Sequence, residues 1–334
     1  MMRLPPFTYL APRTVGDALK YLGDAGPEAM LVAGGTDLYP NMKRRQFEPK
    51  TLVGLRGVRE LRGVRGSERH GVTLGSGTTL STVAGHPTVA QHYSALATAA
   101  GLVSSPQLRN MGTIGGNVCV DTRCNYYNQT YAWRKAIGFC MKKDGDICLV
   151  APGSPRCWAV SSSDTAPVLW SLGAHVRLAG PQGERTLPVA ALYRDDGIAY
   201  LAKRADEIVT DIVLPPADGW RSTYVKLRRR GSFDFPVLGV AVAARLEGDV
   251  VREARIVLGA VASQPREAPA AADALRGERL TGDVIARAAD LAARPSKPLD
   301  NTDFSHPYRK NVTRAFVARA LRRLAGLPDD EARA

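Results

Sequence analysis

The sequence predicts an α+β protein in two parts that meet near residue 218. Three observations predict it. In the first part, short apolar runs end in glycine-rich turns that open into helices. Pro215-Pro216 and Asp218-Gly219 then punctuate the chain. Beyond Trp220, two apolar runs flank Gly248-Asp249 and three helical segments follow, the layout of a sheet with helices on one face.

Taken in order, Thr14 with Asp17 three residues on has capping-box spacing and opens a helix through Leu22. Residues 29–32 (AMLV) read as a buried strand that runs into Gly34-Gly35. Thr36-Asp37 reads as a capping pair for a short helix, LYPNMKRR. A strand, a glycine turn and a helix start together suit an anion, because unpaired backbone amides point at the ligand. The spacing matches neither a Walker loop nor the G-x-G-x-x-G dinucleotide fingerprint. Residues 72–74 form a second strand, ending in GSGTTLS. An alanine-rich helix over 93–103 leads to SSPQLRNMGTIGGN, where Gly112, Gly115 and Gly116 make a second loop whose backbone can approach a pyrophosphate or ribityl chain.

Asp164 precedes an apolar helix, APVLWSLGA. Residues 175–179, the turn GPQG and 185–189 predict a hairpin, and 207–214 one more strand. In the second part, 237–246 and 250–261 are strands, and helices are expected near 267–276, 283–293 and 309–324. Lys226, Arg230 and Asp234 recur every fourth residue, the spacing of a salt-bridged face.

Of 334 residues, 45 are Lys or Arg and 32 are Asp or Glu, a net charge of +13. The basic residues are scattered, dense only at KLRRR (226–230) and RALRR near the C-terminus, with no interleaved aromatic module. Nucleic acid is therefore not the expected partner; a solvated basic surface accounts for the charge, with an acidic protein partner as the alternative. No apolar run nears the ~20 residues that span a bilayer, and the N-terminal MMRLPPFTYL lacks a signal-peptide layout. A cytoplasmic, reducing location is expected, with no membrane association. In that setting clustered cysteines favour metal over disulfides.

All five cysteines lie in 112–157. From Cys124, the steps to Cys140, Cys148 and Cys157 are 16, 8 and 9 residues. Structural zinc draws on tight C-x2-C pairs, and none occurs here. Four thiols on long loops suit an iron–sulfur cluster, while zinc and unligated cysteines stay open on spacing alone. Basic and aromatic residues, among them Arg123, Tyr127, Trp133, Lys142 and Lys143, lie between them. Positive charge there would raise a cluster's potential or attract an acidic redox partner. Cys119 stands apart, three residues past Gly116, and reads as a buried apolar filler.

LVAGGTDLYPNMK (31–43) and NMGTIGGN (110–117) resemble the paired FAD loops of the flavoprotein subunits of molybdenum hydroxylases, the xanthine and carbon monoxide dehydrogenase group. GSGTTL (75–80), SDTAPVL around Asp164, RTLPV around Leu187, KLRRRGSFDFPV (226–237), GAVASQP (259–265) and the closing YRKNVTRAFVARAL also fit, so the resemblance spans essentially the whole chain. It implies a two-part FAD-binding domain of the vanillyl-alcohol-oxidase/PCMH type at 1–218, with parts at about 1–58 and 59–218. A smaller α+β C-terminal domain of the CO-dehydrogenase flavoprotein type follows at 219–334.

Ordinary members pass directly from the second loop to the aspartate segment, whereas this chain inserts about 40 residues, roughly 119–160. The insertion is similar to that of the β subunits of 4-hydroxybenzoyl-CoA reductases, which bind a [4Fe–4S] cluster beside FAD. That resemblance makes Cys124, Cys140, Cys148 and Cys157 the ligands and leaves Cys119 free. It also implies that Leu31, Val32, Ala33, Gly34, Gly35, Thr36, Asp37 and Leu38 wrap the FAD pyrophosphate. Gly112, Thr113, Ile114, Gly115 and Gly116 would line the ribityl and diphosphate region. Asp164 is expected to accept hydrogen bonds from the cofactor's polar chain, Lys226 to sit near the flavin, and Leu187 to lie against the isoalloxazine. Val103 and Asn125 are further implied contacts.

The implied partners are a molybdopterin-binding large subunit and a [2Fe–2S] small subunit in a dimer of heterotrimers, with ferredoxin as electron donor. No substrate-converting residue is expected in this chain. Three rivals remain: an NAD-coupled hydroxylase subunit of the same family, a stand-alone flavin oxidase and a zinc-stabilised basic binding protein. None of the five histidines falls in the two loops, as a flavin-linking histidine of the oxidase type would.

Overall fold

The computed structural model describes residues 3–328 and confirms the α+β class. Met1, Met2 and residues 329–334, which the expected domains include, lie outside the described residues. Three sheets organise the chain. The first is parallel, with order β1 (Thr8–Leu10), β3 (Thr51–Gly54), β2 (Ala29–Val32). The helix Val15–Ala25 crosses between its first two strands in sequence; Thr14 caps it by accepting from the Asp17 amide at 3.0 Å, as the spacing predicts.

The second sheet is antiparallel, with order β4 (Val64–Ser67), β5 (Gly71–Gly75), β8 (Ile208–Leu214), β6 (His175–Gly180), β7 (Gly183–Pro188). The predicted hairpin is β6–β7. Strand β8 enters between β5 and β6, so residues far apart in sequence close one sheet. Its central position matches its almost fully buried side chains, whereas the polar edge strand β7 is almost wholly exposed. Helices Ser94–Leu102, Ile114–Val118 and Thr165–Ser171 pack into one core with this sheet.

The third sheet is antiparallel: β9 (Trp220–Leu227), β10 (Leu238–Glu247), β11 (Val250–Gly259) and β12 (Arg266–Glu267), in the order β12-β11-β10-β9. Its own helices Pro269–Asp273, Gly282–Ala293 and His306–Leu324 cover one face, where Leu238, Val240, Val242 and Ala244 pack. The opposite face is not open. Ala241, Ala243 and Tyr224 pack there against the core of the first part, beneath helices Ser94–Leu102 and Thr165–Ser171. Two-sided burial explains why β10 reads as an unbroken apolar run in place of an alternating one. No helix among the described residues is long and apolar enough to cross a membrane.

Candidate cofactor site

The two glycine loops meet. A β-carbon on Gly34 would lie 2.1 Å from the Met111 carbonyl oxygen and 2.9 Å from the Gly112 α-carbon, so only glycine permits this approach. Gly35 has φ +70° beneath the Tyr39 ring, a conformation and a contact that both require glycine. The amides of Gly34, Gly35, Thr36, Asp37 and Leu38 donate to no acceptor among the described residues. Five consecutive unpaired N–H groups past the end of β2 form a concavity suited to an anion, which fits the pyrophosphate of FAD.

The second loop is built otherwise. It is the first turn of the helix Ile114–Val118, capped by Thr113, whose side-chain oxygen accepts from Gly116 at 3.1 Å. The Ile114 and Gly115 amides donate to Thr78 and Ser76 carbonyls, both at 2.9 Å, and Gly112 donates to Leu108 at 2.7 Å. These amides hold the loop in place. Gly115 presses on Ser76, where a β-carbon would be 2.6 Å from the Ser76 side chain.

Asp37 departs from expectation. It sits at the start of the helix Leu38–Lys43, but its carboxylate makes no capping bond. Its oxygens instead accept from Arg123 at 2.9 Å and Asn41 at 3.0 Å. Burial pushes its carboxyl up while Arg123 opposes the shift. The Arg123 guanidinium also lies 3.8 Å from the Phe235 ring centroid, so one side chain joins the first loop, the cysteine segment and the second part.

Asp164 and Lys226 form one buried node. Asp164 accepts from Tyr224 at 2.8 Å and from Lys226 at 2.9 Å. The ammonium also donates to the Leu102 and Asp234 carbonyls, which occupies its three hydrogens. Burial pushes the Asp164 carboxyl up, against the pull of Lys226. Both Asp164 oxygens are thus held by protein donors, and the expected hydrogen bond from a cofactor would have to share them. Arg230 pairs with Asp234 at 2.6 Å, but on the loop after β9 and not along a helical face. Val103 follows the helix Ser94–Leu102 half-buried, and Leu187 is half-buried on β7. Asn125 is exposed and its amide donates to Asn301.

Cys124, Cys140, Cys148 and Cys157 are all buried and line one recess, with Tyr127, Leu149 and Val150 in its wall. Burial pushes the Cys124 thiol up to about 12 and that of Cys157 to about 11, so a metal centre must displace their protons. Among the described residues, no three His, Cys, Asp or Glu side chains are placed to hold a single metal ion. Four thiols lining one recess are the donor set that an iron–sulfur centre would use. Cys119 is not in the lining; its amide donates to Gly115 and its carbonyl accepts from Tyr200.

The cysteine segment is fastened at three places, once to the first loop and twice to the residues that follow the helix Leu38–Lys43. Arg123 holds Asp37, Gln46 donates to the Tyr127 carbonyl at 2.6 Å, and Arg134 donates to the carbonyls of Arg44 at 2.9 Å and Arg45 at 3.1 Å. Arg134 is 1% exposed. The sequence marks Arg123 and Arg134 only as basic residues of the segment; the DTRC run before Cys124 was the available signal for the first.

Residues 5–217 match the FAD-binding domain of molybdopterin dehydrogenases, and residues 222–324 the CO dehydrogenase flavoprotein C-terminal domain. The chain belongs to this flavoprotein family. The flavoprotein is similar to the carbon monoxide dehydrogenase medium chain of Hydrogenophaga pseudoflava, at 30% identity over 95% of this chain and 96% of that one. It is also similar to the nicotine 6-hydroxylase medium subunit of Paenarthrobacter nicotinovorans, at 27% identity over 96% and 98%. Among solved structures, carbon monoxide dehydrogenase from Hydrogenophaga pseudoflava superposes with a TM-score of 0.79 at 31% identity, over 96% of this chain and 97% of that one. Quinoline 2-oxidoreductase from Pseudomonas putida 86 gives 0.77 at 25% identity, over 97% and 99%. The expected flavoprotein family, fold class and FAD stand on these matches.

Proposed function

We propose that this chain is the FAD- and [4Fe–4S]-carrying electron-transfer subunit of a molybdenum hydroxylase-family enzyme of the 4-hydroxybenzoyl-CoA reductase type. The observation that carries the cluster is the convergence of four buried cysteines on one recess, in a segment fastened to the first FAD loop. The family match supports FAD; the cluster rests on the cysteines and on the resemblance of the insertion.

Bound FAD exchanges one or two electrons and an iron–sulfur cluster one, so together they join donors and acceptors of different electron number. This chain's residues position the two. Residues 31–38 would hold the pyrophosphate through the unpaired amides of 34–38, and 112–116 would close over it with bare glycine surface. Val103, Asn125 and Leu187 would border the cofactor, and the Asp164–Lys226 node would fix the wall behind it. Cys124, Cys140, Cys148 and Cys157 would ligate the cluster. Substrate chemistry, the reductive removal of an aromatic hydroxyl, would belong to a molybdopterin-binding large chain. A [2Fe–2S] small chain would complete each heterotrimer, two of which would pair, with ferredoxin as donor in the cytoplasm. Residues 1–218 would form the FAD-binding domain and 219–334 its C-terminal companion.

A second reading is supported by the similarity to carbon monoxide dehydrogenase and nicotine 6-hydroxylase chains: an FAD subunit of an NAD-coupled enzyme oxidising an aromatic or N-heterocyclic substrate. One preparation separates the two. Iron, zinc, acid-labile sulfide and flavin are measured per chain after anaerobic purification, and turnover is tested with reduced ferredoxin and with NAD. About four irons, matching sulfide and one FAD, with ferredoxin-driven turnover lost in Cys140→Ser while FAD stays bound, support the first reading. FAD with zinc or no metal, and NAD-linked turnover, overturn it in favour of the second.

A further inference from the structure

The recess carries one charged side chain in its lining, Lys142. The Lys142 side chain is only 6% exposed. Its ammonium donates to Asp121 at 2.8 Å, to Thr122 Oγ1 at 2.8 Å and to the Gly197 carbonyl at 2.6 Å. It lies 4.8 Å from the Tyr127 ring centroid and 5.6 Å from that of Tyr200. Gly197 fixes how near the ammonium stands to the cysteines. Its amide donates to the Cys157 carbonyl, and a β-carbon on it would be 2.7 Å from Cys157 Sγ. Asp121, the counter-charge, is equally buried but is not part of the lining. The pair is therefore a buried dipole whose positive end is held, through the Gly197 carbonyl, beside the residue that packs on Cys157 Sγ.

The other cations of the segment are placed differently. Lys143 is about one-third exposed, Arg123 is spent on Asp37, Arg156 pairs with Asp195, and Arg134 faces the Arg44 and Arg45 carbonyls. None of these four lines the recess, as Lys142 does.

We propose that the buried Lys142–Asp121 dipole is a positioning device that sets the reduction potential of the centre held by Cys124, Cys140, Cys148 and Cys157, with Lys142 raising it and Asp121 restraining the rise. This rests on the cluster reading above. Gaining an electron makes the centre more negative, and a cation at its wall stabilises the reduced form; little water intervenes to screen the charge.

The test uses the anaerobically purified holoprotein and its Lys142→Met and Asp121→Asn variants. Iron and sulfide are counted first, then the cluster is titrated with spectroscopic detection of its reduced form. Lys142→Met is expected to lower the reduced-to-oxidised ratio at a fixed ambient potential by about tenfold, about 59 mV for a one-electron couple. Asp121→Asn is expected to shift it the opposite way. A merely structural role would lower iron content or move both variants in the same direction. Unchanged potentials, or shifts of one sign, with four irons retained overturn the proposal. If Lys142→Met fails to fold, Asp121→Asn decides alone: a raised potential supports the dipole and an unchanged or lowered one overturns it. Absence of iron from the unsubstituted protein instead refutes the cluster reading itself.

Discussion

Gly34 rests against Met111 main chain to main chain, with room for a hydrogen and nothing larger. The obstruction is a carbonyl and not a flexible side chain, so Gly34→Ala must push the two loops apart. FAD retention is expected to fall by about tenfold or more, a loss of about 1.4 kcal/mol in binding, measured as flavin per chain and by fluorescence titration. Gly23→Ala, in the helix Val15–Ala25 with nothing within 4 Å, is the control. It should leave flavin unchanged and add up to about 1 kcal/mol of stability.

Arg134 serves two carbonyls from a position closed to water. Arg134→Met would leave both part-buried acceptors without their donor, at a cost of about 2 kcal/mol. Urea unfolding should register this. Because Arg44 and Arg45 end the helix that follows the first loop, flavin should also dissociate more readily from the variant.

Cys119 meets its neighbours through its main chain, so Cys119→Ser is expected to keep both iron and flavin. Cys148→Ser should lose iron and keep flavin. Elemental analysis beside the visible spectrum distinguishes them, and iron loss on Cys119→Ser would reassign the ligands.

Glu207 is held at about 2, below its ordinary 4.5, chiefly by hydrogen bonds from Arg185 at 2.6 and 2.9 Å. A carboxylate with a depressed folded-state value stabilises the fold above its unfolded value and loses that contribution as pH falls. Glu207→Gln should therefore cost about 2 kcal/mol at pH 7, allowing for the partial exposure of Arg185. The difference from the unsubstituted protein should begin to shrink near pH 4.5 and be gone near pH 2. Urea midpoints across that range give the comparison.

Where the determinants are local, sequence reading reached the right element. Thr14 caps its helix, Pro181-Gln182 turns β6 into β7, and Gly248-Asp249 turns β10 into β11. It faltered where partners lie far apart. The carboxylate of Asp37, read as a cap, is taken by Arg123, 86 positions later. Arg134 was legible only as one more basic residue of the cysteine segment, because its acceptors are backbone groups 89 and 90 residues earlier. Composition cannot register such acceptors, since every residue carries them. The fourfold spacing of Lys226, Arg230 and Asp234 suggested a regular face. In fact Lys226 ends a strand and points into the core, while the other two pair on a loop. The second glycine loop was read as a ligand loop, and the engagement of its amides by Ser76 and Thr78, which depends on tertiary placement of β5, was not legible.

The sheet formed by β9 to β12 has no face of its own to give to water. A fragment ending at residue 218 would bare the apolar sides of Ser94–Leu102 and Thr165–Ser171, and one starting there would bare Tyr224, Ala241 and Ala243. The two family matches thus divide the text of this protein but not its thermodynamics: neither half is a portable module. A graft of one half from a relative would succeed only if the residues across that shared core travelled with it.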